Sequence, residues 1–427
     1  MPGTAIVQAG NYALRVDTGY DVGSFQLDST TKGLLNGVYP LGPTTDFADI
    51  TANTTRINVK RGRRDQGDQF AAGSMSFTIN DTTGIFNPFD ENSPYYNTPE
   101  ALPGLAPMRA VELIRYNTAG TAQYLFKGRI VNYDYNFALD GLDTVTVYCS
   151  DDFYLLSQTY MNELNVGVET SGQRITTVLD LPEVAYPSGA ARDINTGTVN
   201  LGHDAAYTVP AGTNVLNYLA QINETAEFGR LFMTRAGVLK FTPRIGNTLA
   251  GSVADFHDDG TNIKYDNLGI TFEADQVTNR TQIENLGAVS ATAEDLASQA
   301  LFFIQTNSIT NSLLDDTELA AAATYLLDPY PEARYNSIET TFALMTGAQR
   351  DTVAIVDISD TITIEKTFNT GTGTTQLAQE LSVEGVEHEI TLNGHRMRLF
   401  TSPTTIVYEL ILDNATYGTI DTLNALG

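Results

Sequence analysis

Runs of four to eight β-branched and aromatic residues recur along this chain, each bounded by Thr, Gly, Asn or Asp. That pattern predicts a mainly β protein. Arg56 to Asp65 reads as a basic strand entering a polar loop; within Phe70 to Pro88 a strand and a turn ending in an aromatic follow. Val111–Tyr116 and Gln123–Ile130 read as strands joined by a turn at Asn117–Gly120, and Asp143–Cys149 as a further strand. Asp151–Leu156 then predicts a short helical turn. In the middle the period changes. Val215, Leu219, Ile222 and Ala226 lie at helical spacing between Gly212-Thr213 and Gly229. Leu231–Met233 and Val238–Phe241, around Arg235-Ala236-Gly237, read as a hairpin. Strands resume near Asn267.

Asp315-Asp316-Thr317-Glu318 has the spacing of a capping box and predicts a helix over 316–327, stopped by Asp328-Pro329-Tyr330-Pro331. Val353–Asp357, Thr361–Lys366, Gln379–Glu384, His388–Leu392 and Met397–Phe400 read as strands, with Gly371–Thr375 as a hairpin tip. Gly128 and Gly385 each interrupt an apolar strand run and precede further strands, hinting at an internal repeat; such glycines mark bulges or tight corners. The domain reading is 1–155, a first β domain; 156–266, a helix-plus-hairpin α+β insert; 267–403, a second β domain with the 316–327 helix; and 404–427, a tail segment.

Composition narrows the chemistry. With 427 residues, several domains are expected. The apolar runs fall far short of the ~20 residues that span a bilayer, and Met1–Val7 shows no secretory signal. The single cysteine, Cys149, excludes an intrachain disulfide framework and a thiolate metal cluster, and its strand context predicts a buried thiol. The formal charge of −27 argues against nucleic-acid binding by phosphate neutralisation. It is compatible with a wall past which a polyanion slides.

Against that background, Arg56, Lys60, Arg61, Arg63 and Arg64 stand out: five of the 24 Lys and Arg within nine residues. They fit a contact with an acidic neighbouring subunit, or simply a solvated strand and loop; no aromatic platform for nucleic acid is interleaved with them. His388 and His395 lack the remainder of an HExxH pattern, and His203-Asp204 and His257-Asp258-Asp259 lie in loop-like sequence suited to turns. Asp255, Asp258, Asp259, Asn262 and Asp266 gather oxygen donors without the closing Glu of a calcium loop. No nucleophile, phosphate-loop or dinucleotide motif is present, so neither catalytic residue nor cofactor nor metal is expected.

The basic strand with its following strand and turn resembles the first barrel of the tail-tip (baseplate) hub proteins of long-tailed bacteriophages, in particular minor tail proteins of actinobacteriophages. Further matches follow in order. Ile355–Ile364 is similar to that family's isoleucine–glycine–aspartate strand entry, with Ser359 in place of the glycine. Leu381–Ile390 resembles its valine–glutamate–glycine segment followed by histidine, and Pro329–Asn336 its linker after the helix. Glu409–Asp413 and Tyr417–Asp421 resemble its C-terminal end.

The resemblance implies two β-barrel hub domains flanking a smaller domain, and a homotrimer joining a six-fold tail to a three-fold tip. It implies contacts with the distal tail ring, the tape-measure C-terminus and receptor-binding or fibre proteins. DNA would pass through without specific binding, and the protein would lie in the virion. A tail-associated cell-wall or polysaccharide hydrolase is the rival reading; the chain ends directly after its closing strands, where such a domain would be appended. The missing signal segment disfavours a secreted adhesin. With the basic cluster at a subunit contact, replacing Arg61, Arg63 and Arg64 by Glu is expected to impair assembly while leaving the fold intact.

Overall fold

The computed structural model describes residues 11–18, 47–64, 69–96, 105–139, 141–202, 207–244, 251–370, 373–403, 408–409 and 424–425. Residues 371–372 of the expected hairpin tip, the His203-Asp204 pair and nearly all of the 404–427 tail lie outside them.

The first strand group comprises β1 (Tyr12–Asp17), β2 (Phe47–Asp49), β3 (Thr54–Gly62), β4 (Ala71–Asp81), β5 (Ala110–Tyr116), β6 (Ala122–Asn136) and β7 (Asp143–Ser150). Period-two burial runs through it. On β4, Met75, Phe77 and Ile79 point into the core, where fully burying such a side chain contributes about 1.5–3 kcal/mol. On β3, Ile57, Val59 and Arg61 point inward while Arg56 and Lys60 face outward. Asp151 turns the chain into α1 (Phe153–Gln158), accepting from the Phe153 amide at 3.1 Å.

The insert holds α2 (Ser171–Leu179), β8 (Arg192–Ile194), α3 (Val215–Ile222), β9 (Arg230–Met233) and β10 (Leu239–Thr242), with β8, β10 and β9 in one small sheet. Both helices start on side-chain caps, Thr170 and Asn214. Val215, Leu219, Ile222 and Ala226 are buried as their spacing required; α3 ends at Ile222 and a π turn carries on to Glu227. Arg174 is fully buried, donating to Tyr218 Oη (2.8 Å), the Gly167 carbonyl (2.7 Å) and the Glu169 carboxylate.

The last part contains β11 (Ala254–His257), β12 (Asn267–Thr271), β13 (Arg280–Asn285), β14 (Ser290–Glu294), α4 (Leu296–Phe302), β15 (Thr306–Ser312), α5 (Leu319–Tyr325), β16 (Arg334–Thr341), α6 (Gly347–Val353), β17 (Thr361–Thr370), β18 (Gly373–Thr391) and β19 (Gly394–Pro403). Strands β13, β14 and β15 form a separate three-stranded sheet.

Three expectations change here. The 316–327 helix is only Leu319–Tyr325, because Asp315 Oδ1 bonds the Thr317 amide (3.0 Å) and hydroxyl (2.7 Å) in a turn and Glu318 takes the N-cap place. Val353–Asp357 is not a strand. Thr346 and Gln349 close a capping box that starts α6, and Val353 ends that helix; Val353, Ala354, Val356 and Ile358 are buried as the chain turns toward β17. Gln379–Glu384 and His388–Thr391 belong to one 19-residue strand, β18, with Leu392 in the turn beyond it; the register of β18 against β19 shifts between Val383 and Gly385.

The two strand groups form one sheet, in the order β12-β16-β19-β18-β3-β4-β7-β6-β5-β1-β2, with β17 on β18 and β11 on β17. The junction is β3 against β18, Arg56 opposite Thr391 through Gly62 opposite Gly385. β19 occupies one edge of β18, so β17 and β3 share the other: β17 covers it up to Ser382, β3 from Gly385 onward. The bulge lies where that edge changes partners. Ser359 and Arg63 fill the gap through their amides, bonded to the Val383 carbonyl (2.8 Å) and the Glu384 carbonyl (2.9 Å). A Cβ on Gly385 would lie 2.4 Å from the Arg63 carbonyl oxygen, so glycine is required there.

Candidate functional site: a charged seam where three parts meet

The five cations singled out in the sequence divide between two faces of β3 and the turn after it. Arg56, Lys60 and Arg64 are outward. Their side chains are 56%, 59% and 62% exposed, and they meet Glu389 at 2.7 Å and Glu387 at 3.3 and 3.4 Å. These carboxylates project from β18, so the exposed pairs are cross-strand contacts within the chain.

Arg61 and Arg63 point elsewhere, and the expectation of exposed side chains is corrected for both. Arg61, inward by the alternation of β3, is buried and donates from Nη1 to Asp357 Oδ1 at 2.6 Å. Its Nε and Nη2 have no partner among the described residues. Arg63 donates from Nε to Glu384 Oε2 at 2.8 Å and lies over the Phe70 ring at 4.3 Å. Glutamate at either position would face a carboxylate with little access to water, so Arg61→Glu and Arg63→Glu are expected to destabilise the fold.

The carboxylates receive a second pair of cations from the insert. Glu384, fully buried, accepts from Arg230 Nη2 (2.8 Å) and Ser402 Oγ (2.7 Å) through Oε1. Asp357 Oδ2 accepts from the Arg235 amide at 2.8 Å, while Arg235 Nη1 reaches the Tyr124 carbonyl of β6 at 2.9 Å. Burial alone would raise the Glu384 pKa; Arg230 and Arg63 outweigh it and hold the carboxyl at about 2. Thus β3 supplies Arg61 and the turn after it Arg63, the β9–β10 hairpin supplies Arg230 and Arg235, and the C-terminal group supplies Asp357 and Glu384. The arrangement pins the insert hairpin across the β3–β18 junction. Beneath it, Asp151 accepts from the Gly73 amide at 2.7 Å, and burial lifts its pKa to about 7 against those hydrogen bonds and Arg61.

The two histidines seven residues apart meet across the β18–β19 turn. His388 Nδ1 lies 2.9 Å from His395 Nε2, and His395 Nδ1 lies 2.7 Å from Tyr12 Oη. Burial pushes His388 down to about 3 and His395 well below the usual imidazole range, so both are neutral. The candidate oxygen cluster separates: Asp258 bonds Lys366 (2.7 Å) and Thr367, Asp259 bonds Thr261, and Asp266 bonds Thr341 (2.6 Å). Among the described residues no three His, Cys, Asp or Glu gather where one metal ion could be held. Cys149 is buried, and burial pushes its thiol up. Glu384, Asp357, Arg230 and Arg235 escaped the sequence reading. The signal for the first was a charged residue at the centre of an apolar strand run, beside the glycine already noted.

The chain matches no family profile and no curated protein in sequence. It does share its fold with solved structures. A tail protein from Neisseria meningitidis MC58 superposes with a TM-score of 0.57 at 12% identity, covering 92% of this chain and 97% of the other. The 43 kDa tail protein of prophage MuSo2 from Shewanella oneidensis superposes with a TM-score of 0.53 at 12% identity, covering 92% and 98%. At these identities the likeness is one of fold. No helix among the described residues is long and apolar enough to cross a membrane.

Proposed function

We propose that this chain is a structural component of a phage tail, the hub of the tail tip. The observation that carries the reading is the shared fold with two tail proteins over 92% of the chain. The order of motifs along the sequence supports the finer assignment to a hub. On this reading three copies form a ring that joins the six-fold tail to a three-fold tip. The ring would contact the distal tail ring and the tape-measure C-terminus, carry receptor-binding or fibre proteins and let DNA through. Exposed apolar residues such as Phe89 (82%) and Leu139 (102%) on loops of the first strand group suit a subunit with further neighbours.

Function is then assembly rather than turnover, and an acidic lumen would exert little hold on passing DNA. Arg56, Lys60 and Arg64 remain candidates for a subunit contact, while Arg61 and Arg63 serve the seam inside the chain. Particle imaging with symmetry assigned at the tail tip tests the assignment. Three copies around the axis are expected; six would sink it. Turnover of peptidoglycan or polysaccharide by the isolated protein, abolished by one carboxylate substitution, would overturn the non-enzymatic reading.

A further inference from the structure

A cavity of about 340 Å³ opens at the start of β1, between the β18–β19 turn and α6, with Tyr12, Arg115, Phe342, Arg350 and His395 among its walls. That volume lies within the range of small-molecule sites. Its electrostatics run against those of the chain. Arg115 donates from Nη1 to Gln123 Oε1 at 2.7 Å and pairs with Asp351 Oδ1 at 2.8 Å. Arg350 reaches only the Thr346 carbonyl, at 3.4 Å, and meets no carboxylate within ion-pair distance among the described residues. With Tyr12 and His395 neutral, two guanidiniums and one carboxylate leave an excess of one positive charge, in a chain whose formal charge is −27.

The hydroxyl at the wall adds a directional element. The Tyr12–His395–His388 chain has two proton orders. In one, Tyr12 donates to His395 Nδ1 and His395 Nε2–H donates to His388 Nδ1. In the other, His388 Nδ1–H donates to His395 Nε2 and His395 Nδ1–H donates to Tyr12 Oη, which frees the phenolic proton for an acceptor in the cavity. Both keep every group neutral, so an acceptor selects the second without a charge being created.

We propose that this cavity binds a ligand presenting a single carboxylate, held by Arg350 and Arg115 with the Tyr12 hydroxyl as third donor. A monoanion balances the local charge, whereas a phosphate dianion overshoots it. Guanidinium forks match carboxylate geometry. The carboxylate could belong to a sugar acid or to a peptide terminus, and the probes separate these. Calorimetric titration of the full chain would use D-glucuronate and N-acetylglycine, with glucose, N-acetylglycinamide and inorganic phosphate alongside. We expect one of the two carboxylates to bind in the millimolar range and its neutral counterpart not to bind. Arg350→Gln should weaken binding roughly tenfold or more without moving the thermal midpoint, because it removes a charge-assisted hydrogen bond from an otherwise uncommitted guanidinium. Tyr12→Phe should weaken it several-fold. The proposal is overturned if neither carboxylate binds, if the neutral counterpart binds equally, if phosphate binds more tightly, or if Arg350→Gln leaves the affinity unchanged. None of these outcomes bears on the tail assignment.

Discussion

At the scale of single residues, Glu384 is the most consequential side chain of the seam, a buried carboxylate held by two guanidiniums and a hydroxyl. Its folded pKa of about 2 lies below the ordinary 4.5. The stability it contributes is therefore fully present above about pH 4.5 and lost as pH falls toward 2. Glu384→Gln should cost about 3 kcal/mol near neutrality, and the difference from the parent protein should shrink as the pH drops through that window. Urea unfolding at several pH values checks both the size and the trend; a difference that did not vary with pH would contradict the linkage. Asp151 runs the opposite way. Its pKa is lifted from 3.8 to about 7, so its contribution is present below 3.8 and is lost as pH rises to about 7. Asp151→Asn should flatten that part of the stability profile, measured by the same titration. Sequence alone could have placed Arg61 inward, since Ile57, Val59 and Arg61 share one face of an alternating strand. Local charge density points this cluster outward, but the period-two register of β3 prevails at Arg61. The partners of Asp357 and Glu384 were beyond reach, because they come from hundreds of residues away.

Among elements, β3 to β7, the β9–β10 hairpin and β17 to β19 were legible because β-branched runs between turn residues fix strands locally, whereas β1, β2, β8 and β11 to β16 were not singled out. The misreadings arose where tertiary geometry overrode the run. Val353–Asp357 has strand composition but begins at the last residue of a capped helix. The 19 residues of β18 looked like two strands because the bulge breaks their alternation, giving continuous burial from Leu381 to Val386. Ser359, where the resemblance expects glycine, has φ +76°, the left-handed region that favours glycine; the local backbone has kept the shape without the residue. The bulge gives a direct test. Gly385→Ala places a methyl group against the backbone of Arg61 and Arg63 and should destabilise the protein by roughly 2 kcal/mol or more, as buried backbone clashes do. Gly167→Ala, which meets nothing within 4 Å, should stay within about 0.5 kcal/mol. Thermal melts of the two variants side by side decide it; equal midpoints would mean that β3 moves aside freely.

For the whole molecule, the three exposed cations of the basic cluster carry the assembly question that the proposed tail role raises. Exposed ion pairs contribute only about 0–1 kcal/mol each. Replacing Arg56, Lys60 and Arg64 together by Gln should therefore leave the thermal midpoint within a few degrees while lowering the yield of complete tails. Normal tail yield from the triple variant would remove this surface from the list of subunit contacts. The tail-type architecture was legible in the order of motifs over the whole length, not in any one of them, whereas the fusion of two strand groups into one sheet was not legible, since no local pattern announces which distant edge a strand will find. That fusion has a consequence during synthesis. Arg56 and Glu389, joined across the β3–β18 junction, are 333 residues apart in the chain. At translation rates of about 5–20 residues per second, β3 waits roughly 17–67 s on the ribosome before its partner has been made. For that time β4 can pair with one edge of β3 while the other stays an open row of amides and carbonyls, the kind of edge on which nascent chains associate. The outward cations Arg56 and Lys60 sit on the waiting strand, and like charges on neighbouring nascent copies would oppose pairing along that edge until β18 arrives.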